Sequence, residues 1–395
     1  MKYENQTYIK SVKLCGYKSI KDLEVEFLPG MNIIIGENGS GKTNFLEFLE
    51  WGIDGVTKGV FFDFMISTTD VELVWRDEQN KPEVIAIFRE AKSSFASTGI
   101  LSNSVESTYS INGKKSYKAI LHEPARNEIP VSRVSHSDIS TEELFNNKIG
   151  KSVYFAFEIP KNIPLLTQAV FFHHKKRNSS NEENGVMNAL FSLGLPEILK
   201  QILVKSTGLF DIYKPSVSEK NTLLRQLSKE LKKVTIIDSV ELTPIREVEK
   251  LDNVSSQEIH LQFKINNEWY HWKSLSDGTK RMFLIICHLL DSSIKQFFIE
   301  EPEIGVHPKQ LGKLMTILKE QSQYKQIILT THSPDVLDVL TINELDRIFV
   351  CKLNNEGTKL YKLDEKRRLK AKAYMTEVDY LSSYWRMSDL ENVEV

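Results

Sequence analysis

The chain is short of cysteine and has no long apolar run, and each shortage removes a class of protein. Three cysteines in 395 residues, Cys15, Cys287 and Cys351, are odd in number, far apart and each set in an apolar stretch. They cannot form a disulfide framework and lack metal-ligand spacing, so they read as reduced core residues. No stretch approaches the roughly 18 apolar residues of a membrane helix, and the opening Met-Lys-Tyr-Glu-Asn-Gln has no signal-peptide core. A cytoplasmic protein without membrane contact is expected. Neither sign of charge dominates: 51 Lys and Arg against 53 Asp and Glu leave a formal net charge of −2. That excludes a globally basic nucleic-acid binder but not a local basic face. Glycine is scarce too, 18 in all, yet three stand within six positions, at 36, 39 and 41.

Those three belong to Gly36-Glu-Asn-Gly-Ser-Gly-Lys-Thr43, directly after the apolar run Met31-Asn-Ile-Ile-Ile35. This is a phosphate-binding loop at the carboxyl end of a strand and the start of a helix over about 42–51. Gly36, Gly39 and Gly41 let the backbone curl with N–H groups inward, where a side chain would block a phosphate. Asn38, Ser40 and Asn44 complete the loop, and the helix aims its positive end at the same point. Lys42 supplies a point charge to the terminal phosphates, and the Thr43 hydroxyl is placed to ligate Mg²⁺. The sequence therefore implies binding of a nucleoside triphosphate.

Around this loop the pattern is α/β. Tyr8–Leu14 and Leu23–Leu28 alternate as a strand pair; Val71–Trp75, Val84–Arg89, Ser107–Ile111 and Ser152–Phe157 continue a mixed sheet with an antiparallel portion. Helical periodicity follows from about 181 to 233, at Val186–Leu193, Glu197–Leu203 and Glu219–Lys233. Strands are expected at Thr235–Val240 and Ile259–Ile265. Next come a helix over 278–293, a strand at Gln296–Ile299, a helix at Pro308–Gln321 and a strand at Gln326–Thr330. Such alternation implies parallel pairing with right-handed crossovers. The expected division is an amino-terminal lobe at 1–160, a mostly helical insertion at 161–254, a carboxy-terminal lobe at 255–360 and a charged helical tail at 361–395.

Three further motifs end or begin predicted elements. Phe297-Phe-Ile-Glu-Glu-Pro-Glu303 is an apolar strand closing on carboxylates. Mg-nucleotide hydrolysis needs one acid to hold the metal (Glu300) and the next to polarise the attacking water (Glu301); a strand meeting solvent gives the same pattern. Leu329-Thr-Thr-His-Ser-Pro334 puts His332 at the carboxyl edge of the sheet, where a γ-phosphate contact competes with a structural role. Leu275-Ser-Asp-Gly-Thr279 opens a helix, so Ser276 and Gly278 form either a second anion cradle or an ordinary cap.

The order of these four motifs resembles the ATP-binding-cassette (ABC) ATPases of the SMC, Rad50 and RecF type. Within that group the chain is most similar to the ATPase domain of the OLD (overcoming lysogenization defect) family and related bacterial defence ATPases. Gly16-Tyr-Lys-Ser-Ile20, the loop at 36–44 and Glu300-Glu-Pro-Glu-Ile-Gly-Val-His-Pro308 carry the likeness, which covers about 8–75 and 260–352. The resemblance implies an ABC-type fold and a head-to-tail homodimer closing two ATP molecules. Ser276 and Gly278 would face the γ-phosphate on the other copy, while Glu301 and His332 act on their own copy's nucleotide. It also implies a glutamine contacting Mg²⁺ and water, for which Gln168 and Gln79 are the candidates.

OLD nucleases carry a TOPRIM domain; only about 60 residues follow His332, and no matching acidic glycine motif occurs. A separate effector chain, nuclease or toxin, is expected instead, as with stand-alone ATPases of anti-phage systems. His173-His174 reads as part of a basic loop rather than a ligand pair. Basic clusters at 173–177, 229–233 and 366–372 could touch nucleic acid or simply face solvent. Two functions therefore compete: an ATP-driven defence switch and a RecF- or Rad50-like ATPase that clamps DNA. A transporter's nucleotide-binding subunit is disfavoured by the Leu-Ser-Asp-Gly signature and its long distance from the loop.

Overall fold

The computed structural model describes residues 6–58, 70–76, 82–95, 101–111, 114–122, 132–135, 151–155, 170–175, 217–242, 246–251, 254–259, 261–388 and 390, with side chains at 6–50, 224–241, 261–388 and 390. The chain forms two units. The first comprises Met1–Ala156, Ser293–Glu303 and Met315–Val395, the second Phe157–Ser292 and Ile304–Leu314.

In the first unit, β1 (Tyr8–Tyr17) and β2 (Ile20–Glu26) pair antiparallel, as their alternation predicts. β3 (Met31–Ile35) follows, then helix α1 (Lys42–Lys58). The antiparallel sheet continues from β1 through β4 (Asp70–Arg76), β5 (Pro82–Phe95), β6 (Leu101–Ile111), β7 (Lys114–His122) and β8 (Ser132–Ser135). A second sheet carries the buried core. It contains β9 (Lys151–Phe155), β16 (Ile294–Glu300), β17 (Gln326–Thr331), β18 (Ile348–Asn354) and β19 (Gly357–Lys362), in the order β19-β18-β3-β17-β16-β9. Five of its six strands are parallel; β19 alone runs antiparallel, on the edge. Strands covered on both faces need continuous apolar runs, not alternation. β3 and β17 accordingly are buried at every position, and Phe297, Phe298 and Ile299 of β16 are fully buried. Phe27 packs between Phe45 of α1 and Phe349 of β18, with ring centroids 5.9 and 5.0 Å away.

The second unit holds β10 (Val170–Lys175), α2 (Val217–Val234), β11 (Ser239–Leu242), β12 (Arg246–Leu251), β13 (Val254–Ile259), β14 (Leu261–Ile265), β15 (Glu268–His271) and α3 (Asp277–Leu289). These strands make two three-stranded sheets, β10-β13-β12 and β11-β14-β15. Phe283 of α3 packs edge-on to Phe263 and Trp272, at 5.3 and 5.4 Å. Leu227 and Leu231 give α2 its buried stripe. Helix α4 (Pro308–Gln321) crosses the division; α5 (Glu365–Glu377) and α6 (Leu381–Met387) form the helical tail.

The α/β class, the mixed sheet and the antiparallel amino-terminal portion are as expected. The stretch 161–254, expected to be mostly helical, carries strands β10, β11 and β12 beside α2 among its described residues, and one expected boundary also moves. The apolar run at 235–240 does not start a strand: α2 extends to Val234, and the Thr235 hydroxyl donates to Leu231 O at 2.8 Å while accepting from Ile237 N–H at 3.1 Å. The strand begins only at Ser239. The expected helices at 186–193 and 197–203 lie outside the described residues. Among the described residues no helix is long and apolar enough to cross a membrane.

One buried carboxylate couples this architecture to pH. Glu344 lies in the turn before β18; burial pushes its carboxyl up, but the Lys319 ammonium at 2.6 Å and the Thr341 hydroxyl and N–H outweigh that and hold it at about 2, below the ordinary 4.5. The stabilisation is complete above pH 4.5 and lost as pH falls toward 2. Urea midpoints measured across that range should drop for the native chain, and Glu344→Gln should flatten the dependence.

Candidate functional site

Strand register assembles the site. Ile35 lies opposite Thr331 and Thr330 opposite Glu300, so β3, β17 and β16 end at one edge of the parallel sheet. The next residues, Gly36, His332 and Glu301, leave the sheet together. Gly36 N–H donates to Thr331 O at 3.3 Å and Glu301 N–H to Thr330 O at 3.0 Å, tying each exit to its neighbour.

The loop between β3 and α1 has the curl its sequence demands. Gly41 sits at φ 101°, and a Cβ there would stand 2.1 Å from Thr358 Oγ1. That close approach has a purpose. Thr358, on β19, donates to Ser40 O at 3.0 Å, and the Cys351 thiol on β18 reaches the same carbonyl at 3.4 Å. Burial raises the Cys351 thiol to about 11, so it keeps the proton it donates. With its hydrogen on Ser40 O, Thr358 must accept from Ser19 Oγ at 2.8 Å, which in turn accepts from Asn44 Nδ2 at 2.7 Å. A chain of donors from Asn44 through Ser19 and Thr358 thus braces the loop, each bond polarising the next. Asn44, expected among the loop's binding residues, is engaged with this brace.

Lys42 is buried, with its ammonium donating to Gly36 O and Glu37 O at 2.9 Å each and lying 3.7 Å from Glu301 Oε1. Ser40 Oγ is buried without a hydrogen-bond partner, the kind of orphan that an anion in the loop would satisfy. Asn38 and Gly39 are exposed at the tip. A cavity of about 390 Å³ opens beside the loop, lined by Gly36–Ser40 and Val350–Leu353. On the other side the Thr43 hydroxyl donates to Glu300 Oε1. Two hard oxygens converging beside an open loop are a donor set that suits Mg²⁺, which binds few protein oxygens and keeps its waters.

Glu301 adopts φ 42°, a left-handed conformation costing a non-glycine residue of order 1–3 kcal/mol. The turn brings its carboxylate between Lys42 and His332, whose Nδ1 is 3.5 Å from Glu301 Oε1. His332 Nδ1 is also 3.3 Å from Glu303 Oε1. Glu303 has no role in the sequence reading, yet its Oε1 accepts from Thr331 Oγ1 at 2.5 Å, His332 N–H at 3.1 Å and Ser333 N–H at 3.3 Å. The only signal for it was its place as third acid of the Glu-Glu-Pro-Glu motif. Thr358 had none, because its role depends on a hairpin closing against the loop.

In the second unit, Ser276 caps α3: its Oγ accepts from Thr279 N–H at 3.3 Å and lies 2.9 Å from Thr279 Oγ1. A Cβ on Gly278 would stand 1.9 Å from Gly305 O, so backbone packing alone demands glycine there. Gln168 and Gln79 lie outside the described residues. His173 and His174, expected in a basic loop, instead fall on strand β10, paired with Ser256 and Ser255 of β13. Of the basic cluster at 229–233, Lys232 and Lys233 pair with Asp238 at 3.2 Å and Glu230 at 2.6 Å. Among the described residues no group of three or more His, Cys, Asp or Glu converges to hold a metal ion.

A braced phosphate loop beside paired carboxylates and a histidine, all at the carboxyl edge of a parallel sheet, is the layout of a P-loop nucleotide site. The family profile described as "AAA domain, putative AbiEii toxin, Type IV TA system" matches residues 31–338, and the chain belongs to that family. It is 24% identical to Endonuclease GajA of Bacillus cereus over 343 residues, 81% of this chain and 55% of GajA. It is 19% identical to an ATP/GTP phosphatase of Helicobacter pylori, covering 84% of this chain and 87% of the relative. It is 31% identical to the DNA replication and repair protein RecF of Clostridium kluyveri over 112 residues, 25% of this chain and 28% of RecF. The stretch matched by the family profile runs from β3 and the phosphate loop through the paired carboxylates and past His332. The chain spans about half the length of GajA and a smaller share of RecF.

The brace gives a direct prediction. Thr358→Val keeps the shape but leaves Ser40 O with one donor fewer, a loss of about 1–3 kcal/mol. Titration with a fluorescent ATP analogue should show affinity weakened roughly tenfold, and Gly41→Ala should abolish measurable binding.

Proposed function

We propose that the chain is an Mg²⁺-dependent, ATP-hydrolysing dimeric switch, the ATPase and sensor subunit of a bacterial anti-phage system that controls a separate effector. The observation carrying the hydrolytic reading is the strained Glu301, whose carboxylate is held between Lys42 and His332. Strained residues of this kind cluster at active sites.

In this reading the triphosphate lies along the loop, with its nucleoside end toward the cavity lined by Val350–Leu353. Inward N–H groups of the loop and the amino terminus of α1 hold the β- and γ-phosphates. Lys42 exchanges its carbonyl partners for phosphate oxygens. Thr43 and Glu300 would hold Mg²⁺, which supplies charge neutralisation between the phosphates. Glu301 orients a water in line with the γ-phosphorus and takes its proton as the bond forms. His332 steadies the charge on the departing phosphate. Ser276 and Gly278 close the site on another copy, so ATP joins two copies and hydrolysis releases them.

Two things support the defence role: the toxin–antitoxin wording of the family description and the OLD-type motif set. The effector, a nuclease or toxin, is proposed as a separate chain. The RecF likeness supports a second reading, a DNA-clamping repair ATPase. Under it, DNA should stimulate turnover, and neutralising the exposed basic residues of α5 at 366–372 should abolish that stimulation.

Glu301→Gln separates binding from hydrolysis. Its ATP turnover should fall at least about 100-fold, as for other losses of one catalytic group. Light scattering should detect an ATP-bound dimer that the native chain forms only transiently. A variant that hydrolyses ATP normally would remove Glu301 from the role of base.

A further inference from the structure

The third acid of the Glu-Glu-Pro-Glu motif does no work in the hydrolytic reading, yet its surroundings are specific. The Glu303 carboxylate is turned inward, with 8% of its side chain exposed. Its Oε1 gathers three hydrogen bonds from three consecutive residues: the Thr331 hydroxyl, the His332 N–H and the Ser333 N–H. The same oxygen lies 3.3 Å from His332 Nδ1. Thr331 Oγ1 also accepts from Ser333 N–H at 2.9 Å, so the turn closes on itself around this carboxylate. His332, by contrast, is 42% exposed, with its Nδ1 facing the Glu301 and Glu303 carboxylates. A half-exposed side chain on a strand exit holds one orientation only if the backbone beneath it is held.

We propose that Glu303 is a positioning residue for the switch histidine: its carboxylate pins the turn at 331–333 and thereby aims the His332 imidazole. The proposal rests on the reading that His332 acts at the γ-phosphate. What Glu303 supplies is an acceptor at a fixed point. Glutamine can supply an acceptor there too, whereas alanine cannot, and alanine would leave two backbone N–H groups and a hydroxyl without their partner. Loss of the pin would let the imidazole wander, and a misplacement near 1 Å can cost about 100-fold in rate. Nucleotide binding by the loop at 36–43 involves none of these bonds and should be spared.

The test uses the full-length chain as Glu303→Ala and Glu303→Gln, with two readouts. Hydrogen exchange at the amides of His332 and Ser333 reports on the turn without reference to turnover. Steady-state kinetics with MgATP reports on catalysis. In Glu303→Ala, exchange at both amides should accelerate at least tenfold and kcat should fall at least tenfold, with KM changing less than threefold. Glu303→Gln should retain most of the protection and recover most of kcat. The proposal is overturned if Glu303→Ala leaves exchange at the native rate, if exchange rises while kcat is unchanged, or if Glu303→Gln is as impaired as Glu303→Ala. A native chain that does not turn over ATP would overturn the functional reading and the catalytic half of this proposal. The exchange measurement would still decide whether Glu303 holds the turn.

Discussion

The parallel register of three buried strands is the constraint on which the site depends. With Ile35 beside Thr331 and Thr330 beside Glu300, the exits of β3, β17 and β16 are adjacent. A one-residue slip of any of them would reverse which side chains face each layer and separate the loop from its carboxylates. β3 and β17 are buried at every position, as parallel strands covered on both faces must be. Chemistry then needs only short extensions beyond the strand ends: a glycine curl, two acids and a histidine.

Residues with no chemical role keep those extensions in place. The Asn44–Ser19–Thr358 chain fastens the Ser40 carbonyl from β19, the antiparallel edge strand, and Cys351 assists from β18. On the other side Glu303 gathers the turn that carries His332. The left-handed backbone at Glu301 is tolerated because its N–H is anchored to Thr330 O and its carboxylate lies among charged and polar neighbours. Local strain and local bracing sit within a few residues of each other, as expected where geometry must be held against its intrinsic preference.

Much of this was legible in the sequence, for identifiable reasons. The loop, Glu300, Glu301 and His332 could be read because each follows a continuous apolar run, and buried parallel strands betray their ends sharply. The amphipathic stretch over 219–233 announced α2, which extends over Val217–Val234. The strand expected from 235 begins only at Ser239 because Thr235 can bond back to the helix, a local competition that apolar content does not reveal. Thr358 and Ser19 were illegible because their pairing spans 339 positions of sequence. Glu303 stood in plain view within its motif but without a partner; only the fold brings Thr331, His332 and Ser333 to it.

The central claim is that Lys42 and Ser276 of different copies serve one ATP. It is tested most directly by mixing two inactive chains, one Lys42→Ala and one Ser276→Arg, and measuring ATP turnover. In a mixed dimer one composite site keeps both native residues, so the account predicts turnover well above the sum of the separate chains. A mixture no more active than that sum would contradict a site shared between copies.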